Sequence, residues 1–320
     1  MLFENKKILI TGGYGFVGSH LIKRLDQMSS NVEIICYDKM TYAANFSNLD
    51  KKTLKNKYTF IKADICNFDK LFSIAKKCDY IINCAAESHV DRSFKSSLQF
   101  LETNIIGSRN IYECSRLETN IKKVIHISTD EVFGETLGKS AHENSKINPT
   151  NPYSASKACA EILGQTFIKS FNIPLTIIRG NNLYGNNQYP EKIIPYTCFS
   201  LAKKKKILLH GGGHVMRKFL HVNDFCNAVL VVLGNKKKQD IYNVGTLNKS
   251  IKIKNLVKKI CEILNYDYED NVTISKDRPF NDSRYSMNSS KIRSLKWTEN
   301  EIFNSSLPII CKSYYEKYSK

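Results

Sequence analysis

The stretch Lys7-Ile-Leu-Ile-Thr-Gly-Gly-Tyr-Gly-Phe-Val-Gly18 decides the fold. An aliphatic run at its start predicts a short buried strand, and a helical pattern follows from Ser19 to about Gln27. Glycines between a strand and a helix allow a tight turn and a close approach of backbone to a pyrophosphate, which the helix N-terminus also attracts. We therefore expect a dinucleotide-binding turn formed by Gly12, Gly15, Phe16, Val17 and Gly18.

The next predicted strand, Val32–Tyr37, ends at Asp38. This aspartate lies about twenty residues past the last glycine, where a carboxylate accepts hydrogen bonds from the adenosine ribose. It would repel a 2′-phosphate, so the sequence favours NAD over NADP, although the neighbouring Lys39 weakens the preference. The alternative is an aspartate that only begins a turn.

Two further predicted strands, Tyr58–Lys62 and Asp79–Asn83, should end in the same neighbourhood. Ligands of open α/β sheets bind beyond the carboxyl ends of the strands, so the residues after these strands should flank the cofactor. A helix predicted from about Ser97 to Arg116 approaches the same crevice. The residues expected there are Asp64, Ile65, Ala85, Ala86 and Thr103.

A second informative stretch runs from His126 to Gly134, after a strand predicted over Lys123–Ile127. It places Thr129, Asp130 and Glu131 just beyond the strand. Adjacent carboxylates repel each other, and burial pushes one toward its protonated form, which gives an acid and a base side by side. The alternative is a solvated acidic turn, the commoner meaning of an isolated Asp-Glu pair.

A long helix is predicted to begin at Tyr153, after a turn over Asn148–Pro152. Tyr153 and Lys157 are four residues apart and share one helical face. A lysine ammonium beside a phenol lowers the pKa of the phenol and can hold the nicotinamide ribose. Such pairs are common on helix surfaces, but this one follows a strand-end hydroxyl in a nucleotide-binding sheet.

Together these motifs resemble the extended short-chain dehydrogenase/reductase family, and Thr129-Asp-Glu131 resembles its nucleotide-sugar 4,6-dehydratases. The segments Asp38–Asn45 and Ala85–Ser93 are similar to the same subfamily, and the similarity covers essentially the whole chain. It implies an α/β fold, a Rossmann-type doubly wound parallel sheet with a smaller C-terminal α/β substrate-binding domain. It also adds Thr41 to the cofactor-binding residues.

The resemblance divides the chain at about residue 180. It implies an NAD-binding domain over residues 1–180, to which residues 218–245 return, and a nucleotide-sugar domain over residues 181–320. Within the returning segment, Val222–Gly234 is predicted to be a helix and Asp240–Gly245 a strand. Trp297 is expected to serve packing.

Two segments, Arg179–Lys192 and Asp277–Tyr285, are similar to the UDP-glucose 4,6-dehydratase domain of plant-type rhamnose synthases. Bacterial dTDP-glucose enzymes typically differ at Leu183 and at Phe280-Asn281, which favours uridine over thymidine here. The first segment is interpreted as a polar loop that folds over a sugar.

Several residues are expected to contact the substrate. Arg217 and Arg278 are suited to bidentate contact with a diphosphate, although each could be an ordinary surface arginine. The resemblance also places other residues against the substrate: Ser88, Thr129, Asn182 and Lys192.

The implied activity is dehydration of UDP-glucose, or dTDP-glucose, to the 4-keto-6-deoxy sugar nucleotide with internally recycled NAD, towards rhamnose or another deoxysugar. Tyr153, assisted by Lys157 and Thr129, would take the proton of the sugar 4-hydroxyl. Glu131 would act as base at C5 and Asp130 as acid at the 6-hydroxyl. A nucleotide-sugar 4-epimerase would share NAD and Tyr153 without needing the carboxylate pair. A non-catalytic Rossmann sensor or binding module is the more distant alternative.

The composition of the chain limits which kinds of partner it is expected to bind. The net charge is +18, with short lysine runs at 203–206 and 236–238 that lack interleaved aromatic residues. Such runs favour a solvated surface over nucleic-acid binding. No apolar run reaches the roughly 18 residues of a membrane span, and no signal peptide is visible.

The ten cysteines are scattered without a Cys-x-x-Cys pair, which favours reduced thiols in the cytoplasm and no metal site. The resemblance implies a homodimer in which the helices at about Ser97–Arg116 and Tyr153–Phe171 pair with their copies as a four-helix bundle.

Overall fold

The structure, a computed structural model, describes residues 3–136 and 138–320. Its strands are β1 (Lys7–Thr11), β2 (Glu33–Asp38), β3 (Lys57–Lys62), β4 (Tyr80–Asn83), β5 (Lys123–Thr129), β6 (Leu175–Gly180), β7 (Asn182–Tyr184), β8 (Ile207–His210), β9 (Met216–Arg217), β10 (Phe219–His221), β11 (Asp240–Val244), β12 (Ile251–Lys252) and β13 (Val272–Ser275). Its helices are α1 (Phe16–Met28), α2 (Phe68–Ala75), α3 (Val90–Lys95), α4 (Ser97–Phe100), α5 (Gly107–Leu117), α6 (Pro152–Phe171), α7 (Ile193–Ala202), α8 (Val222–Gly234), α9 (Ile253–Ile263), α10 (Tyr268–Asn271), α11 (Ser290–Arg293) and α12 (Phe303–Ser319).

The described residues form a seven-stranded parallel sheet in the order β11-β6-β5-β4-β1-β2-β3. Alternate residues of each strand enter two apolar clusters on opposite faces. On β1, Ile8 and Ile10 pack with α1 and α8, whereas Leu9 packs with α2, α5 and α6. Burial on both faces explains why the strands are continuous apolar runs. The chain runs from β1 outward to β2 and β3 and then crosses back to β4 on the other side of β1, so a crevice forms at the carboxyl ends of β1 and β4. The predicted Rossmann-type fold is confirmed.

Two helix starts differ from the sequence expectation in an informative way. Helix α1 begins at Phe16 rather than Ser19, because the last glycine of the motif already lies in its first turn. Helix α6 begins at Pro152, and the Asn151 side chain caps it by accepting a hydrogen bond from the N–H of Ser154. The Ser154 hydroxyl in turn accepts a hydrogen bond from the N–H of Asn151. This capping box fixes Tyr153 in the first turn of the helix.

The helix predicted over about Ser97–Arg116 is interrupted. Between α4 and α5, residues Leu101–Ile106 form a π-helical turn that contains Thr103 and Asn104. The amide of Asn104 bonds the backbone N–H and C=O of Glu87 and the hydroxyl of Ser156. Local widening of a helix of this kind is frequent near functional sites.

The polar loop predicted over Arg179–Lys192 is wrong at its start. Arg179 lies inside β6, is 1% exposed, and donates from Nε and Nη2 to the buried carboxylate of Glu161. Strand β6 has buried neighbours on both sides, and the Glu161 carboxylate together with the Glu143 carbonyl accepts from all three guanidinium nitrogens there. The chain after it forms the short strand β7, paired with β10, before α7 begins.

The C-terminal part contains short strand pairs, β8 with β13 and β9 with β12, packed with α7, α9 and α12. Helix α8 and strand β11 return to the large sheet, where β11 pairs with β6. Ile292 and Trp297 also pack into the core beside α8, and the Trp297 indole donates to the carbonyl of Asp224. The division at about residue 180 stays a prediction. Within the described residues no helix is long and apolar enough to cross a membrane.

Candidate active site

A cavity of about 400 Å³ lies beyond the carboxyl ends of β1, β4, β5 and β6. Its walls come from the glycine turn, from the first turn of α6 and from the chain around residues 181–192 and 278–285. It brings together sixteen of the residues predicted from the sequence: Gly12, Gly15, Phe16, Val17, Gly18, Ala86, Ser88, Thr129, Asp130, Glu131, Tyr153, Lys157, Asn182, Lys192, Arg217 and Arg278.

The remaining predicted residues lie outside its walls: Asp38, Lys39, Thr41, Asp64, Ile65, Ala85 and Thr103. Lys39 and Asp64 form an ion pair of 2.7 Å at the ends of β2 and β3. The N–H of Ala85 donates to the Thr11 hydroxyl directly behind the glycine turn. These residues sit around the site rather than in it.

The glycine turn has no spare room. Gly12 has φ +66°, and a Cβ added there would lie 2.9 Å from the backbone of Ala85. A Cβ on Gly18 would lie 2.2 Å from the carbonyl oxygen of Gly12. The turn therefore presents bare backbone at the start of α1, which suits a pyrophosphate.

Asp38 is buried at the end of β2, and each of its carboxylate oxygens accepts one backbone hydrogen bond. Tyr14 donates at 2.9 Å and Met40 at 2.7 Å. Burial raises the pKa of this carboxyl group, and the two N–H donors oppose that shift. Each oxygen of an ionised carboxylate has further accepting capacity, so Asp38 can also receive ribose hydroxyls.

Asp130 begins a 3-10 turn directly after β5 and is 3% exposed. Its Oδ2 accepts a hydrogen bond of 2.7 Å from the amide of Asn181. Burial raises its pKa to about 7, against the Asn181 hydrogen bond, while the Glu131 charge adds to the rise. A carboxyl group with this pKa can carry a proton at neutral pH and release it.

Glu131, by contrast, is half-buried and faces the start of α6. Its Oε2 accepts from the Asn151 amide at 3.3 Å, and its backbone N–H donates to the Thr129 hydroxyl at 3.3 Å. The residue that caps α6 therefore also orients Glu131. The two neighbouring carboxyl groups lie in different environments, as a general acid and a general base require.

Tyr153 and Lys157 both line the cavity, but Lys157 does not lower the pKa of the phenol as expected. Burial raises the pKa of Tyr153 well above its usual range, the Glu131 charge raises it further, and a hydrogen bond with Thr129 opposes both. The Lys157 ammonium donates to the carbonyl of Ile127, and burial lowers its pKa to about 8. Desolvation dominates because both side chains are enclosed.

The three cations expected at the substrate are already engaged by protein groups. Arg278 makes a bidentate contact with Asp91 at 2.7 and 2.9 Å. Arg217 donates to the carbonyl of Asp282 at 2.9 Å, and the Lys192 ammonium donates to the carbonyl of Ser88 at 2.7 Å. The Asn182 amide nitrogen, in contrast, is buried without a partner among the described residues.

Sequence reasoning missed the residues that hold Asp130, Glu131 and Arg278 in place. These are Asn181 at Asp130, Asn151 at Glu131 and Asp91 at Arg278. Only Asn151 carried a usable signal, because Asn-Pro before an amphipathic run indicates a helix cap.

The model of the NAD dependent epimerase/dehydratase family matches residues 8–245. The chain belongs to this family. It is 38% identical over 304 residues to the trifunctional UDP-glucose 4,6-dehydratase/UDP-4-keto-6-deoxy-D-glucose 3,5-epimerase/UDP-4-keto-L-rhamnose-reductase of Arabidopsis thaliana, covering 93% of this chain but 45% of that protein. The chain thus spans about half the length of this plant relative.

Another relative and one solved structure match nearly end to end. The human dTDP-D-glucose 4,6-dehydratase is 39% identical over 299 residues, covering 91% of this chain and 85% of that protein. The crystal structure of DesIV, a dTDP-glucose 4,6-dehydratase from Streptomyces venezuelae with NAD and TYD bound, superposes with a TM-score of 0.92 at 31% identity over 97% of both chains.

Proposed function

We propose that this protein is a nucleotide-sugar 4,6-dehydratase that converts a nucleotide-activated glucose into its 4-keto-6-deoxy derivative. The observation that carries the proposal is one cavity shared by Tyr153, Lys157 and two adjacent carboxyl groups in unlike environments. Asp130 is buried with a pKa raised to about 7, and Glu131 is half-buried beside it. An epimerase would have no use for this pair.

The residues present fit NAD as the cofactor. The glycine turn is bare backbone against which even a Cβ would clash, as a bound pyrophosphate requires. Asp38 offers buried carboxylate oxygens to a ribose and would repel a 2′-phosphate. Tyr153 and Lys157 would hold the nicotinamide end. When bound, NAD supplies the reversible oxidation and reduction of the sugar carbons.

The first proton transfer involves the sugar 4-hydroxyl. Tyr153, which is hydrogen-bonded to Thr129, takes that proton as C4 is oxidised to a ketone. The pKa of the phenol is raised by burial and by the Glu131 charge, so the phenolate form needs a nearby cation. Lys157 is the buried cation one helical turn away on the same face of α6.

Elimination of water follows from the new ketone. A ketone at C4 acidifies the C5 proton, and Glu131 removes that proton as general base. Asp130 gives its own proton to the departing 6-hydroxyl, so the hydroxyl leaves as water. C6 is then reduced and C5 is reprotonated, which gives the 4-keto-6-deoxy sugar. Removing a proton from one carbon while expelling a hydroxyl from the next requires an acid and a base together.

The nucleobase is the finer part of the proposal, and we favour UDP-glucose over dTDP-glucose. The support is Leu183 and the Phe280-Asn281 pair, all of which line the cavity. Relatives named for UDP-glucose and for dTDP-glucose are about equally similar to the chain, at 38% and 39% identity. The preference for UDP-glucose over dTDP-glucose therefore rests on these three cavity residues.

We also propose that the protein is a homodimer. Four large apolar side chains are exposed along the α4–α6 face: Leu98, Leu101, Ile106 and Ile162. Covering such a face with its own copy would remove them from water. Light scattering at micromolar concentration should give twice the chain mass, and Ile162→Glu should reduce it to one chain. A parent protein that is monomeric at that concentration contradicts the proposal.

The proposed compartment is the cytoplasm, since all ten cysteines are free thiols. Most of them are buried, and burial raises the pKa of several of these thiols, such as Cys36 to about 12. They behave as small apolar side chains of the core.

The experiment that tests the proposed function incubates the purified protein with UDP-glucose and no added NAD. We expect a 4-keto-6-deoxy product, because a catalyst that restores its cofactor in each cycle retains it. A parallel incubation with dTDP-glucose compares the nucleobases. Formation of UDP-galactose without loss of water would instead identify a 4-epimerase, and no conversion of either sugar would favour a binding module.

A further inference from the structure

Asn181 spans the gap between the proposed general acid and the chain that follows β11. Its Nδ2 donates to Oδ2 of Asp130 at 2.7 Å, and its Oδ1 accepts from the backbone N–H of Thr246 at 3.0 Å. A backbone N–H can only donate, so the amide oxygen must face Thr246 and the NH₂ must face Asp130. The orientation of the amide is therefore fixed by its partners.

The far side of this amide is held tightly. A Cβ on Gly245 would lie 2.5 Å from Oδ1 of Asn181, so only glycine fits beside it. Thr246 is anchored in turn through its hydroxyl to the carboxylate of Glu299, which also accepts from the N–H of Leu247 at 2.9 Å. Asn181 is 6% exposed. A side chain held at one end and buried throughout can place its donor accurately at the other end.

We propose that Asn181 is a positioning residue that holds Oδ2 of Asp130 as an acceptor and thereby leaves Oδ1 as the oxygen carrying the transferable proton. Oδ1 is held less firmly, because its hydrogen-bond partner among the described residues is the Thr129 hydroxyl, which donates to it at 3.4 Å against 2.7 Å for the Asn181 amide at Oδ2. Asp130 as proton donor to the sugar rests on the proposed function, whereas the effect of Asn181 on the Asp130 carboxyl group does not.

The charges around Asp130 set the direction of the expected change. Burial and the Glu131 carboxylate on the same turn favour the protonated form. The Asn181 donor, the Arg217 guanidinium from β9 and the Thr129 hydroxyl favour the ionised form. The Tyr153 phenol of α6 faces the same carboxyl pair and stays neutral over this range because its pKa is raised. Removing the Asn181 donor must therefore raise the pKa of Asp130.

The direct test is an NMR titration of protein labelled with ¹³C at the aspartate carboxyl carbons. The parent should show one resonance that titrates at about pH 7, and Asp130→Asn should lack it. In Asn181→Leu, which keeps the size but has no donor, the midpoint should move up by roughly one pH unit. Asn181→Asp, which keeps the acceptor for Thr246, should move it in the same direction and provides a second variant.

The matched control is Glu299→Gln, which perturbs the anchor of Thr246 but leaves the amide of Asn181 in place. Its Asp130 resonance should titrate as in the parent. An unchanged midpoint in both Asn181 variants would overturn the inference. An equal shift in Glu299→Gln would do the same, since the effect would then come from the packing of the segment.

Kinetics supply a readout that a structural role would not move. The falling limb of the pH dependence of kcat should shift upward in Asn181→Leu with the NMR midpoint. In an Asp130→Asn background the same substitution should cost little more, because its effect acts through the missing proton. If Asn181→Leu lowered kcat by the same factor in the Asp130→Asn background as in the parent, the inference would be contradicted. If the parent dehydrates no sugar nucleotide, the proposed function fails while the NMR titration still decides this inference.

Discussion

The two sides of the cavity satisfy their polar groups differently. On the expected cofactor side, just outside the cavity walls, Asp38 accepts hydrogen bonds from two backbone N–H groups and Asp64 is paired with Lys39. On the substrate side, the Asn182 amide nitrogen is buried without a partner among the described residues, and Arg278 is held by Asp91. On the first side, residues at the ends of adjacent strands already provide hydrogen-bond or ion-pair partners for both carboxylates. The second side contains a buried donor without a partner among the described residues and a cation that is held by a carboxylate.

The difference suggests that substitutions on the two sides should separate cleanly in their effects. Changes on the cofactor side should alter how much NAD the purified protein carries. Changes on the substrate side should leave that content intact and alter the affinity for the sugar nucleotide or the elimination step. Tyr153 lies where the two sides meet and should affect both chemical stages.

The largest effect is expected from the residues proposed to be catalytic. Glu131→Gln keeps size and hydrogen bonding but removes the base, so turnover should fall on the order of a hundred- to ten-thousand-fold. Oxidation at C4 depends on Tyr153, and the absorbance of reduced nicotinamide should therefore accumulate when UDP-glucose is added. Tyr153→Phe should lose turnover without that absorbance. Parent-like turnover in Glu131→Gln would refute the assignment of the base.

A smaller effect is expected from Arg278→Ala. Loss of a charge-assisted contact with the diphosphate should raise KM for the sugar nucleotide roughly ten- to a hundredfold. The bound NAD content should stay at the parent value. The control is Arg284→Ala, whose arginine lies in the same segment but not among the cavity residues. A fall in NAD content without a change in KM would show that Arg278 contributes to cofactor binding and not to substrate binding.

The smallest effect is expected from Asp38→Asn, which keeps the shape of the side chain and removes its charge. The affinity for NAD should fall by roughly a factor of ten, because asparagine keeps a neutral acceptor and the lost part of the charge-assisted hydrogen bond is about 1.5 kcal/mol. Discrimination against NADP should weaken together with it, because no carboxylate remains to repel the 2′-phosphate. Mass analysis of the cofactor released on denaturation measures both. Recovery of NADP from the parent protein would contradict the proposal that Asp38 excludes the 2′-phosphate.

Local sequence could place the glycine turn and the carboxylate pair at the cavity because each motif is contiguous. Seven other residues expected at the cofactor lie outside the cavity walls: Asp38, Lys39, Thr41, Asp64, Ile65, Ala85 and Thr103. The strand, the glycine turn and the start of α1 lie within residues 7–28, and the carboxylate pair directly follows β5. All six residues expected at the substrate line the cavity, but the protein groups that hold them could not be predicted. The contact between Asn181 and Asp130 joins residues 51 positions apart, and that between Arg278 and Asp91 joins residues 187 apart. No periodicity encodes such contacts.

The burial of individual side chains also could not be predicted from the sequence. Arg179 looked like the start of a polar loop but lies in a buried strand, where the Glu161 carboxylate and the Glu143 carbonyl accept its hydrogen bonds. The pKa of Tyr153 was expected to be lowered by Lys157, and it is raised because enclosure of the phenol outweighs other influences. Both corrections depend on how the helix α6 packs against the sheet.

The most direct measurement for the carboxylate pair is turnover of UDP-glucose in D₂O followed by mass spectrometry and NMR of the product. Elimination requires that Glu131 take the C5 proton and that C5 be reprotonated afterwards by a group in exchange with solvent. The predicted product is lighter than the substrate by one water and carries deuterium at C5. A product of unchanged elemental composition without deuterium at C5, as from epimerisation at C4, would contradict the role of Asp130 and Glu131.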